Sequence, residues 1–151
     1  MTTATAASLE AEYADLHFPR FAEAEAWALG QKLVELAGAA PVVINIRSAE
    51  RVFFHAALPG SAPLNDVWAR RKSNTALLFQ LPSFLVGLRH RANGGSLAGN
   101  GLSEADYADH GGAVPIRVTG VGVVASATVS GLPQAEDHAL VMAAMQAILA
   151  G

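Results

Sequence analysis

The chain has 151 residues, 52% of them apolar and only 15% charged, which fits one globular domain with a substantial core and excludes intrinsic disorder as the main state. It has no cysteine, so disulfides, thiolate metal sites, iron–sulfur clusters and a cysteine nucleophile are excluded. A net charge of −3 argues against nucleic acid as a partner, and no apolar run reaches the length of a membrane span.

Residues 1–18 read as an N-terminal extension with a short helix over Ser8–Phe18 that Pro19 stops. No basic stretch precedes an apolar one there, and Glu10, Glu12 and Asp15 follow at once, so the expected location is cytoplasmic. Residues 19–151 form the domain proper. Arg20–Ala37 predicts an amphipathic helix with Ala26, Leu29, Leu33 and Ala37 as its stripe and Gly38 as its C-terminal cap. Val42–Arg47 and Arg51–Ala57 predict a hairpin. Asn65 or Asp66 caps a helix to about Gln80, and Pro82 opens another through Arg91. Asn93–Gly101 is a glycine-rich loop, followed by one helical turn within Ser103–Asp109. Arg117–Thr119 and Val121–Ser130 are valine- and threonine-rich strands, and Gln134–Ala150 is a final helix. The order α, ββ, αα, ββ, α predicts an α+β single domain, a central antiparallel sheet flanked by helices on both sides.

Charge is unevenly placed: residues 66–103 carry a net +4 through Arg70, Arg71, Lys72, Arg89 and Arg91, whereas each end of the chain is acidic. That stretch is either a solvated helix face or a local site for a carboxylate or phosphate. Trp68, Lys72, Thr75, Ala76 and Phe79 share one helical face, so Lys72 either snorkels across apolar surface or lines a pocket beside the Trp68 indole. On the last helix His138 aligns with Val141, Met145 and Ile148, toward the sheet, while Glu136 and Asp137 sit where acids favour the helix dipole. His110, before Gly111-Gly112, is a second imidazole in a tight turn. His110 and His138 are the candidate metal ligands, or one of them an axial haem ligand. Gly120-Val-Gly122-Val-Val-Ala125 matches a dinucleotide fingerprint in letters, but strand rather than helix follows it. Nucleophile-elbow, zinc-protease and EF-hand motifs are absent.

Three segments, His110-Gly-Gly-Ala-Val-Pro-Ile116, Gly122-Val-Val124 and Val129-Ser-Gly-Leu-Pro-Gln-Ala-Glu-Asp-His138, resemble the haem-degrading domain superfamily. This is the group of GlcG-like, HbpS-like and PduO C-terminal-like proteins, and the Trp68–Lys72 helix is similar as well. The match covers most of the chain from about residue 20 and runs closer to a short branch of the group than to its founding haem binders. The resemblance implies a profilin-like sheet between helices, symmetric homo-oligomers, and a pocket near the Gly-Gly turn and the Ser-Gly strand end. Carried over, it points to Lys72, Gly111, Gly112, Ser130, Gly131 and Asp137. With Trp68, Arg71, His110 and His138 these residues form the candidate site for a small anionic ligand, haem or a metal ion. The other reading is an interaction or quality-control accessory protein that acts through its oligomer surface. Whether the protein is an enzyme stays open.

Overall fold

Alternation along one strand decides the architecture. The computed structural model describes residues 4–151, so the first three residues of the N-terminal segment lie outside it. The elements are α1 (Ala6–Ala14), β1 (His17–Phe18), α2 (Glu23–Ala37), β2 (Val43–Arg47), β3 (Val52–Ala57), α3 (Pro63–Phe79), α4 (Ser83–Asn93), β4 (Ala113–Val118), β5 (Gly122–Ser130) and α5 (Gln134–Ala150). In β5, Ala125, Ala127 and Val129 join the main apolar core, and by period two Ser126, Thr128 and Ser130 face the other way. Ile44 and Ile46 of β2 and Val114 and Ile116 of β4 continue the apolar face, which α2 covers with Leu29 and Leu33 and α5 with Val141 and Met145. The second face of the sheet is polar and lies under α3, whose buried residues include Lys72, Ser73 and Thr75.

The sheet order is β1-β4-β5-β2-β3. Its four main strands pair antiparallel, as the sequence predicts, with helices on both faces. One correction concerns the edge: α1 ends at Ala14, and His17–Phe18 pair parallel with Arg117–Val118, so the sheet is mixed. Packing overrides helix continuation here. Phe18 is buried in the core, Tyr13 donates its hydroxyl to Pro115 O at 2.8 Å, and Arg117 lies 3.8 Å over the Tyr13 ring while donating to the Tyr13 carbonyl.

A second correction concerns α3, which starts at Pro63, a residue suited to the first turn, with Ala62 at the cap. Asn65 still works there, but from inside the helix: its Oδ1 accepts the Ala62 N–H at 2.9 Å. A third is that Ser103–Asp109 holds turns and no helix, although Tyr107 N–H reaches Ser103 O. The glycine loop before it contains a short 3-10 turn over Ala98–Asn100.

Candidate functional site

β5 ends at Ser130, the chain turns through Gly131–Pro133, and α5 begins at Gln134. This turn admits little but glycine at position 131: φ is +151°, and a Cβ would stand 2.6 Å from Pro41 O. The Asp137 carboxylate closes the turn, its Oδ1 accepting from Leu132 N–H at 2.9 Å and its Oδ2 from Gly131 N–H at 3.2 Å. The same Oδ2 accepts from Lys72 Nζ at 2.9 Å, tying α3 to α5 across the end of the sheet. Both side chains are almost wholly buried, at 5% and 1% exposure. The snorkelling reading of Lys72 is therefore wrong, because the ammonium goes inward to a carboxylate and not to water. Burial pulls the Lys72 ammonium down and pushes the Asp137 carboxyl up, and in each case the partner's charge opposes the shift.

Beside this pair lies a cavity of about 230 Å³. Of the residues singled out in the sequence, Trp68, Lys72, His110, Ser130, Gly131 and Asp137 line it. The Trp68 and His110 rings meet edge to face, 5.4 Å between centroids. Arg71 stands behind this wall, its guanidinium 4.4 Å over the Trp68 ring and Nη2 donating to Tyr107 O. Gly111 and Gly112 do not line the cavity but pack against residues that do. Gly111 N–H donates to Gln134 Oε1 at 2.9 Å, and a Cβ on Gly112 would fall 2.9 Å from Lys72 Nζ and 2.4 Å from Val129 O.

His138 does not join them. It is 4% exposed, its ring packs edge-on against Phe84 at 5.3 Å, and among the described residues neither ring nitrogen has a hydrogen-bond partner. Burial pulls its pKa down to about 4, which keeps the ring neutral at physiological pH. Among the described residues no group of three or more histidine, aspartate or glutamate side chains is placed to hold a metal ion.

Three lining residues were not singled out in the sequence: Asn65, Leu132 and Gln134. Asn65 was legible only as a cap, and Gln134 only as a helix start. Each of the two amides commits its oxygen to a backbone N–H, of Ala62 and of Gly111 respectively, and among the described residues its NH₂ group has no partner. Asp137 has its charge absorbed by three donors, while Lys72 has three N–H groups and spends two, on Asp137 and, at 3.5 Å, on Val129 O. The cavity wall is thus rich in free donors. His110 reports the local field: burial lowers its pKa, Asp109 raises it, and Arg91, Lys72 and Arg71 all lower it further.

Comparison with known proteins places the chain in a family. Residues 21–146 match the family described as haem degrading protein HbpS-like. The chain belongs to that family. A UPF0303 protein of Streptomyces coelicolor is 50% identical over 148 residues, covering 96% of this chain and 94% of the relative. Among solved structures, that of the Ybr137w protein superposes with a TM-score of 0.86 at 28% identity, over 97% of this chain and 88% of that one. A PduOC:heme complex superposes with a TM-score of 0.70 at 20% identity, over 85% of this chain and 93% of that one, a likeness of fold.

The HbpS-like name raises the question of haem. His110 is an imidazole at the mouth, of the type that ligates haem iron. The cavity itself is smaller than the roughly 300–1,000 Å³ typical of sites for drug-sized ligands. A porphyrin is larger still, so the residues present do not fit an enclosed haem.

Proposed function

We propose that this HbpS-like protein is a cytoplasmic, self-associating protein that binds a small anionic molecule in the cavity between α3 and the start of α5. The observation that carries the reading is the surplus of donors. Lys72, Trp68, Asn65 and Gln134 offer N–H groups, and the nearest carboxylate, on Asp137, is already saturated. A ligand complementary to that wall is an acceptor with negative charge, such as a short organic acid. The Trp68–His110 pair supplies an apolar edge for its carbon skeleton. Cavity volume supports this ligand over haem.

Self-association is supported by a second feature. An apolar groove of about 430 Å³ runs between the end of α2 and α5, with Leu36, Leu132, Leu140 and three alanines of these elements in its walls.

The test is a thermal-shift titration with short organic acids, phosphorylated metabolites and haemin. Saturable stabilisation of about 2–3 kcal/mol at 100-fold excess over Kd is expected for an organic acid, and its loss in Gln134→Ala. A flat response to every acid, or stabilisation by haemin alone, overturns the reading.

A further inference from the structure

The proposed anion cavity uses one face of α3, that of Trp68 and Lys72. Arg70 and Asn74, also four residues apart, project from the opposite face and border a second cleft of about 310 Å³ at the β2–β3 turn. No residue lines both cavities. At the centre of the second is Arg47, the last residue of β2, where the pairing with β3 shifts register. Such irregularities re-aim a side chain.

The Arg47 guanidinium is half-buried, and every partner it has is neutral. Nε donates to Ser73 Oγ at 2.9 Å, Nη1 to Ser48 O at 3.2 Å, and Nη2 to Asn74 Oδ1. These three bonds fix the plane of the group: Ser73 is itself held by Arg70 O, and Asn74 by Asp106 O at 2.8 Å. A guanidinium has five N–H donors, so two remain, one on each terminal nitrogen. Two more arginines border the cleft. Arg51 and Arg70 each make an exposed ion pair, with Glu23 at 3.0 Å and Asp106 at 3.4 Å, of the kind that contributes little and swings away easily. Glu50 is the one carboxylate in the lining. Burial together with the like charge of Arg70 lowers the Arg47 pKa, the mark of a cation short of a counter-ion.

We propose that this cleft is a second ligand site, which takes a phosphate-type oxyanion on the two free N–H groups of Arg47, with Arg51 and Arg70 closing from either side. Two N–H groups on a guanidinium whose plane is fixed can each reach an oxygen of one ligand. Three arginines bordering one cleft favour a tetrahedral group with several acceptor oxygens over a planar carboxylate.

The experiment is calorimetric titration of the wild-type protein with inorganic phosphate at low ionic strength, with acetate as the carboxylate probe. The expected result is saturable phosphate binding with Kd below about 1 mM, and acetate binding at least about tenfold weaker in the part of its signal that Arg47→Gln removes. Arg47→Gln abolishes it, and exposed Arg70→Gln, a variant with little call on the core, weakens it about tenfold, whereas Trp68→Leu in the other cavity leaves it unchanged. No saturable binding overturns the proposal, as does an equal affinity for acetate that Arg47→Gln abolishes, or a loss in Trp68→Leu that Arg47→Gln and Arg70→Gln do not share.

Discussion

Lys72 and Asp137 form a buried ion pair on which the stability of the α3–α5 junction depends. Each neutralises the other in a nearly water-free place, so truncating one strands the other's charge. Lys72→Met is expected to cost about 3–5 kcal/mol in urea unfolding, and the double variant Lys72→Met/Asp137→Leu substantially less than twice that. His138 makes an independent prediction. Its native pKa of about 4 lies below the ordinary 6.5, so the unfolded chain takes up its proton first as pH falls. Above pH 6.5 the ring contributes nothing to pH dependence; between 6.5 and about 4 the folded state loses stability, by about 3 kcal/mol in all. Replacing it with Leu removes this slope and leaves no ring nitrogen to bury, so the variant should be at least as stable as wild type at pH 5, measured by urea unfolding at pH 5 and 7.5.

At the scale of elements, most of the framework was legible because burial and period agree. The valines and alternating small residues of β5 and the stripe of α2 each announce one element and one buried side. β1 was illegible because two residues carry no period; what makes them a strand is Phe18 entering the core and Arg117 gripping the α1 terminus from β4, a contact across 104 positions. Tyr13→Phe, which leaves the Pro115 carbonyl without its hydroxyl donor, should lower stability by about 1 kcal/mol and hasten exchange of the α1 amides. The site was legible in part for a similar reason. Helical spacing places Trp68 and Lys72 together, and the glycine turns mark where the backbone comes close. Spacing says nothing of depth, however, so the inward course of Lys72 and the withdrawal of His138 from the cavity needed the tertiary structure. Arg47 was invisible: in sequence it is one charge at the end of a strand, and its role depends on Ser73 and Asn74 from another element.

At the scale of the whole molecule, the polar face of the sheet and the apolar face divide the work. The apolar face, with α2 and α5, holds the chain together, and its outer groove at Leu36 and Leu140 is the surface proposed for self-association. Leu140→Glu is expected to lower the mass seen by light scattering while leaving the far-ultraviolet spectrum unchanged; an unaltered mass would place the interface elsewhere. The polar face, with α3, carries both clefts. A small anion held between Trp68, Lys72 and Gln134 would be seen in the two indole N–H signals of the ¹H–¹⁵N spectrum, because the chain has two tryptophans and of these Trp68 lines the cavity. Titration with the organic acid that stabilises the protein most should shift the Trp68 indole saturably and leave Trp27, 56% exposed on α2, where it was. A Trp68 signal that stays still while that acid stabilises the protein would contradict the account.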